Sequence, residues 1–129
     1  MNLQICDISG SDNYSKIRPL AYCESELFVI CFSVICHVSF GNVLSKWVTE
    51  VILSCPNCKI LLLATKKDLR EDESALRELK KEGREPISFE KGQAMAKKIK
   101  ALNYMECSTN DPSTIASIFE YMAQFFCGE

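Results

Sequence analysis

Blocks of apolar residues alternate with polar, helix-forming blocks along this chain, and their lengths predict strands that alternate with helices. Four apolar or β-rich runs have the length of strands, at residues 3–6, 27–32, 59–64 and 104–107. The run at 27–32 is continuously apolar, which is typical of a strand covered on both faces. Strands that alternate with helices form parallel βαβ units, so the pattern predicts an α/β fold with a mostly parallel sheet flanked by helices.

Apolar residues spaced three and four apart predict the helices between these strands. Ser39 is the predicted N-cap of the first helix, and Ser88 is predicted to start a later one. Asp111 and Pro112, as cap and first helical residue, open the last helix. In residues 70–85, 11 of 16 side chains are charged, which predicts a solvated helix at the periphery.

Composition narrows the class of protein. The chain has 129 residues, 47% of them hydrophobic, which suits a single domain with its own core. Its net charge of −2 gives no electrostatic reason to bind nucleic acid. No apolar run approaches the ~18 residues of a membrane span, and no basic-then-apolar signal opens the sequence. We therefore expect a cytoplasmic domain without a nucleic-acid partner.

Eight cysteines raise the question of disulfides or a metal site. Most of them lie in apolar segments, where a free Cys behaves as a small hydrophobe. Cys55 and Cys58 form a Cys-x-x-Cys that closes a predicted helix and has neither a second pair nor a nearby His. We expect reduced structural thiols and no zinc site.

Candidate chemistry lies in polar residues that follow the predicted strands. Asp68 comes four residues after the strand at 59–64, and open α/β sheets bind ligands at this carboxyl edge. A carboxylate held there can accept two parallel hydrogen bonds from a planar N–H pair, such as the one that guanine offers. Asp7 and Gly10 follow the first strand, where a carboxylate can hold hydrated magnesium and a glycine lets the backbone approach a phosphate.

Taken in order, these segments resemble the motifs of Rho-family small GTPases. Residues 7–14 (Asp-Ile-Ser-Gly-Ser-Asp-Asn-Tyr) resemble the family's Asp-Thr-Ala-Gly-Gln-Glu-Asp-Tyr, and residues 18–22 resemble its Arg-Pro-Leu-Ser-Tyr. Residues 66–70 (Lys-Lys-Asp-Leu-Arg) and 104–108 (Tyr-Met-Glu-Cys-Ser) match further family signatures. The resemblance covers essentially the whole chain, from the family's third strand to its last helix.

The resemblance implies an incomplete P-loop GTPase fold of the Ras-like kind. Residues 1–129 would form a single partial small-GTPase domain, with the extra helix of the Rho branch at about 71–84. The family's phosphate loop, first helix and first switch precede its third strand, so the resemblance describes an N-terminally truncated and degenerate member. The family's first strand lies between its third and fourth, so residues 3–6 either pair directly with 27–32 or fold poorly.

The resemblance also implies a guanine-nucleotide site. Asp7 would reach magnesium through a water, and the Gly10 amide would sense the terminal phosphate. Lys66 would lie along the base, Asp68 would bind its N–H edge, and Ser108 would steady the adjoining loop. The implied nucleotide-binding residues are Asp7, Gly10, Thr65, Lys66, Asp68, Ser108, Thr109 and Asn110.

The implied cofactors are GTP or GDP with Mg²⁺, and the implied partners are Rho-type regulators and effectors: exchange factors, activating proteins, effector kinases or scaffolds. The contact surface would be the second switch, at residues 10–22. Cys127 is third from last and no basic run precedes it, so we expect no stable membrane anchor. The implied partner-binding residues are Tyr14, Arg18, Pro19, Leu20 and Tyr22.

Departures from the family pattern bear on activity. Ser11 stands where the family's Gln orients the attacking water, and its side chain is too short for that role. Thr65 replaces an Asn that ties the base loop to the phosphate loop, and Asn110 replaces a Lys beside the base. These 129 residues contain no Gly-x-x-x-x-Gly-Lys-Ser/Thr loop. We therefore expect no catalytic residue in this chain, and neither useful GTP binding nor hydrolysis by this chain alone.

Three functions remain open from the sequence. The first is a Rho-type small GTPase, a guanine-nucleotide-dependent switch in signal transduction. The second is a nucleotide-free pseudo-GTPase interaction module that binds Rho regulators or effectors. The third is a non-functional fragment that does not fold stably. Nucleotide binding would indicate the first, stable folding without nucleotide the second, and failure to fold the third.

Overall fold

The sheet has the predicted parallel arrangement. The structure is a computed structural model that describes residues 26–127. Its three strands are β1 (Leu27–Ser33), β2 (Lys59–Thr65) and β3 (Asn103–Glu106). They lie side by side in the order β1-β2-β3. Leu27 pairs with Lys59 and Leu61 pairs with Asn103, both in parallel register, as βαβ connections require.

Helices connect and flank these strands. They are α1 (His37–Asn42), a π-helical segment (Val43–Val48), α2 (Thr49–Ser54), a 3₁₀ turn (Lys67–Glu71), α3 (Glu73–Lys81), α4 (Phe89–Lys98) and α5 (Pro112–Cys127). The predicted incomplete Ras-like fold, a parallel sheet flanked by helices, is confirmed for the described residues. None of their helices combines the length and apolar character needed to cross a bilayer.

Burial in the sheet differs between the central strand and its neighbour. Residues 60–64 of β2 are all buried, so this strand is covered on both faces. In β1 only alternate residues enter the core, namely Phe28, Ile30 and Phe32. Val29 is 38% exposed and Cys31 is also exposed, so the prediction that this strand is covered on both faces was wrong. The helix on the second face, α5, packs over Leu61 and Leu63 of β2 instead.

The helix between β1 and β2 begins two residues before the predicted cap. Cys36 is the N-cap, and its Sγ accepts a hydrogen bond from the backbone N–H of Ser39 at 3.4 Å. Ser39 lies in the first turn, where its hydroxyl donates to the Cys36 carbonyl at 2.7 Å and accepts from the Ser33 N–H at 3.0 Å. Ser39 was predicted because Ser is the stronger capping residue by type. The prediction was wrong because the chain turns directly after β1, where the Cys36 N–H donates to the Ser33 carbonyl at 3.0 Å, and this turn places Cys36 at the start of the helix.

The charged segment contains the solvated helix that was predicted for it. Asp72 caps α3 by accepting from the Ala75 N–H at 2.9 Å, and Leu79 is the helix's one buried residue. After α3 the chain turns at Gly83, whose φ of 68° is the left-handed conformation that glycine tolerates best. The helix lies at Glu73–Lys81, inside the range of about 71–84 expected from the resemblance.

The remaining two helices begin where the sequence predicted. The Ser88 hydroxyl accepts from the Lys91 N–H at 3.2 Å, which caps α4. Asp111 accepts from the Ser113 N–H at 3.2 Å, and Pro112 is the first residue of α5. Helix α4 and the helix from α1 to α2 cover one face of the sheet, and α5 covers part of the other. Both faces thereby acquire a packed core that holds the strand ends in place.

The cysteines pack less deeply than expected. Of the six described residues of this type, Cys107 is buried, Cys55 and Cys58 are half-buried, and the others are exposed. The exposed ones include Cys36, whose thiol caps a helix rather than filling a core. Among the described residues, no group of three or more His, Cys, Asp or Glu side chains is placed to hold a metal ion.

Candidate functional site

Two polar loops meet at the carboxyl edge of the sheet. The loop after β2 and the loop after β3 are joined by backbone hydrogen bonds that continue the strand pairing beyond the strand ends. The Cys107 N–H donates to the Ala64 carbonyl at 2.9 Å, and the Lys67 N–H donates to the Cys107 carbonyl at 3.1 Å. Residues 65–68 and 107–110 therefore lie against each other, at the edge where ligands of such folds bind.

Asp68 is the centre of this meeting point. One of its carboxylate oxygens, Oδ1, accepts a hydrogen bond from the Ser108 hydroxyl at 2.7 Å. The other, Oδ2, accepts one from the side-chain nitrogen of Asn110 at 2.9 Å. Three of the predicted site residues are thus brought together from positions 40 and 42 apart in the sequence. The carboxylate is half-buried, which keeps it within reach of a ligand.

Ser108 fixes the second loop from inside the protein. It is 2% exposed, and its backbone N–H donates to the Thr114 hydroxyl at 3.0 Å. Its carbonyl accepts from the Asp111 N–H at 3.1 Å and from the Thr114 hydroxyl at 3.2 Å. Hydrogen bonds from Ser113 hold the pKa of Asp111 below its ordinary value, as suits an ionised helix cap. The first turn of α5 therefore sets the shape of this loop, while Thr109 at its tip is exposed.

The other residues predicted in the first loop are placed differently. Lys66 is exposed and has a left-handed φ of 59°, which turns the chain from β2 into the 3₁₀ segment that carries Asp68. Thr65 directs its hydroxyl to the Phe32 carbonyl at 3.1 Å, so its side chain ties β2 to β1. The predicted residues of the first 25 positions lie outside the described part of the chain. They are Asp7, Gly10, Ser11 and the partner-binding set Tyr14, Arg18, Pro19, Leu20 and Tyr22.

A match to a known protein family shows which family this chain belongs to. The model of the Ras family matches residues 1–127. The chain belongs to the Ras family. It is also similar to the GTP-binding protein rho5 of Schizosaccharomyces pombe, with 41% identity over 124 residues. That match covers 96% of this chain and 62% of the relative, so the chain spans about three fifths of the relative's length. The predicted membership of the Ras-like superfamily is confirmed.

In this Ras-family chain a partly buried ion pair supports the two loops from below. Both terminal nitrogens of the Arg70 guanidinium donate to the Glu106 carboxylate, at 2.7 Å for Nη1. The Arg70 Nε also donates to the Ile87 carbonyl at 2.9 Å, and the Tyr104 hydroxyl donates to Glu106. Arg70 is two residues after Asp68, and Glu106 is two residues before Ser108. The pair therefore connects the two loops close to the strands from which they start.

This ion pair was not predicted from the sequence. Arg70 and Glu106 both lie in segments that resemble family motifs, at 66–70 and 104–108, but neither had a predicted role. The available signal was Glu106 itself, because a carboxylate in a strand between Tyr104 and Cys107 needs a partner when the strand is covered. The spacing of residues in the sequence does not indicate Arg70 as that partner, because the two residues lie 36 positions apart.

The hydrogen-bonded network of Arg70, Tyr104 and Glu106 shifts the pKa values of its members. Burial and the hydrogen bond to Glu106 raise the pKa of Tyr104 well above its ordinary value, so this side chain stays a neutral donor. Burial by itself would raise the pKa of Glu106, but the hydrogen bonds and charge of Arg70 and the hydrogen bond of Tyr104 outweigh it. The pKa of Glu106 therefore lies below its ordinary value of 4.5.

The lowered pKa of Glu106 predicts an acid-sensitive contribution to stability. Because the carboxyl is more acidic in the folded chain than in the unfolded one, the ionised pair stabilises the fold above the unfolded pKa. This contribution is lost as the pH falls through the folded pKa. Urea unfolding of the wild type and of Glu106→Gln should give a stability difference that is constant from pH 7 to pH 5 and shrinks below about pH 4. A difference that stays constant down to pH 2.5 would contradict this assignment.

Proposed function

We propose that this chain carries the base-recognition part of a Rho-type guanine-nucleotide switch. The observation that supports the proposal best is the position of Asp68, a half-buried carboxylate at the carboxyl edge of the sheet. Ser108 holds it there by a hydrogen bond from inside the protein. A carboxylate offers two acceptor oxygens in one plane, and the guanine edge offers two N–H donors in one plane.

The neighbouring residues take complementary roles. Lys66, exposed at the turn before Asp68, would lay its aliphatic stem along the face of the base. The backbone N–H of Thr109, at the exposed tip of the second loop, would donate to the guanine carbonyl oxygen. Ser108 would keep the Asp68 carboxylate oriented while the base binds. The Thr65 side chain would act indirectly, by holding the end of β2 against β1.

The expected affinity of this chain alone is low. Two hydrogen bonds to an ionised group contribute about 3–6 kcal/mol before the costs of association, which corresponds to millimolar binding or weaker. The 129 residues hold no glycine-rich phosphate loop, and Ser11 stands in place of the water-orienting Gln. We propose that this chain alone discriminates the base but does not hydrolyse GTP.

The remaining parts of the switch are proposed from the family. Mg²⁺ would be held through a water by Asp7 beside the phosphates of GTP or GDP, with the Gly10 amide at the terminal phosphate. Rho-type regulators or effectors would bind the surface that includes Tyr14, Arg18 and Tyr22. The domain would work in the cytoplasm.

A second candidate is a nucleotide-free interaction module. One observation favours it. Both oxygens of Asp68 are hydrogen-bonded to side chains of the protein itself, so the loops at 65–68 and 107–110 are held together without a nucleotide. In this case the domain would fold stably and bind Rho regulators whether or not guanine nucleotide is present. Stable folding with no preference for guanine would favour this second candidate over the first.

Replacing Asp68 tests the proposed role directly. In Asp68→Ala the chain should lose its preference for GDP over ADP, because the carboxylate proposed to bind the guanine N–H edge is removed. The matched control is Glu71→Ala, which removes the same charge three residues away from an exposed position. Two-dimensional NMR titration of each variant with GDP and with ADP measures the preference. If Asp68→Ala retains the preference for GDP, the proposed base site is wrong.

A further inference from the structure

Asn110 already occupies part of the site where the base would bind. We propose that Asn110 closes this site from within, because its side-chain amide occupies the Asp68 oxygen that the guanine edge would use. Guanine would then have to displace Asn110, and the residue at position 110 would set how tightly this chain binds its nucleotide. The inference rests on the proposed role of Asp68 in base recognition.

The two donors reach Asp68 from different sides. Ser108 is buried, so its hydroxyl approaches Oδ1 from the protein interior and leaves the outer side of the carboxylate accessible. Asn110 is exposed, so its nitrogen approaches Oδ2 from the solvent side at 2.9 Å. A base that enters from solvent must approach on this same side. Ser108 is therefore compatible with a bound base, whereas Asn110 competes with it.

The chemistry of the two competing donors is the same. An ionised carboxylate only accepts hydrogen bonds, so the Asn110 side chain must turn its NH₂ group toward Asp68. That NH₂ group is a planar amide donor, as is the N–H edge of guanine. When guanine displaces Asn110, one charge-assisted hydrogen bond replaces another, so the gain from binding is smaller than the number of new bonds suggests.

Asn110 is well placed to keep this position. Its backbone N–H donates to the Ser108 hydroxyl oxygen at 3.1 Å, and the same hydroxyl donates to Asp68. Ser108 thus connects the backbone of Asn110 to the carboxylate that the Asn110 side chain binds. Because this donor belongs to the same loop, its effective concentration at Asp68 is far higher than that of a dissolved nucleotide.

Removal of the Asn110 side chain tests the proposal. We expect Asn110→Ala to bind GDP about three- to tenfold more tightly than the wild type, because the competing donor is lost while Asp68 and Ser108 remain. The matched control is Asn57→Ala, an exposed Asn in the turn before β2, at the opposite end of that strand from Asp68. This control should bind GDP as the wild type does. Equal or weaker binding by Asn110→Ala would overturn the proposal.

A second measurement keeps the inference separable from the proposed function. In the wild type without nucleotide, the side-chain NH₂ signals of Asn110 should shift when Asp68 is replaced by Ala. If they shift and no variant binds GDP, Asn110 does occupy the carboxylate, and it is the proposed base recognition that fails. If they do not shift, Asn110 does not occupy Asp68 in solution, and the inference is wrong whatever the GDP titrations show.

Discussion

Replacement of Glu106 by Ala is expected to lower the free energy of unfolding by about 2–4 kcal/mol. The Glu106 side chain is 11% exposed and that of Arg70 is 22% exposed, so the substitution leaves a largely buried guanidinium without its carboxylate. It also removes the acceptor of the Tyr104 hydroxyl. A buried charge that loses its partner costs more than the intact pair contributes, because the desolvation of the remaining ion is no longer offset. Urea denaturation followed by circular dichroism measures the change.

The matched control for this substitution is Glu78→Ala. Glu78 pairs with Lys81 at 3.3 Å, but both side chains are largely exposed, at 74% and 69%. Solvent screening and side-chain entropy leave such a surface pair a contribution of about 0.5 kcal/mol or less. If both substitutions lowered the free energy of unfolding by the same small amount, the link between the loops at 65–68 and 107–110 would not depend on Glu106. The signals of residues 65–68 and 107–110 should shift in the Glu106 variant and not in the control.

Gly92→Ala is expected to destabilise the chain by about 1–3 kcal/mol, although Ala is the better helix former. Gly92 is buried in α4 directly against Tyr104, and a methyl group at this position would overlap the phenol ring. The ring has little room to move, because its hydroxyl is bonded to Glu106 and the ring packs against those of Phe32 and Phe89. Helix α4 must therefore shift away from the sheet or the network of Glu106 must break.

Gly41→Ala separates this packing effect from helix propensity. Gly41 is exposed in α1, and no atom lies within 4 Å of the position that its methyl group would take. Here the substitution should stabilise the chain by up to about 1 kcal/mol, since only the propensity gain remains. Thermal unfolding should move the two variants in opposite directions. A Gly92→Ala variant at least as stable as the wild type would show that Tyr104 is not held in place by this network.

The sequence predicted best the elements whose signals are local. The start of α4 depends on Ser88 and the start of α5 on Asp111 and Pro112, and each of these residues acts within its own turn. The true cap at Cys36 was missed because the end of β1, and not the residue type, determines where that helix begins. The exposed side of Val29 was missed for a similar reason: an apolar run shows that a strand can be buried, not which faces other elements cover.

The candidate site was predictable in outline but not in detail. The meeting of Asp68 and Ser108 follows from a general rule, because adjacent parallel strands bring the residues after them to one edge. The bond from Asn110 to Asp68 depends on the course of a short loop, which neither periodicity nor motif spacing encodes. The support from Arg70 depends on a pairing across 36 residues, which only the folded chain makes visible.

Titration of the ¹⁵N-labelled wild-type chain, residues 1–129, with GDP and in parallel with ADP, in the presence of magnesium, tests whether Asp68 recognises guanine. We expect GDP binding in the millimolar range or weaker, a clear preference over ADP, and signal shifts centred on residues 65–68 and 107–110. Micromolar or tighter binding of GDP would contradict a base site that works without a phosphate cradle. Equal responses to GDP and ADP would contradict the claim that Asp68 recognises guanine.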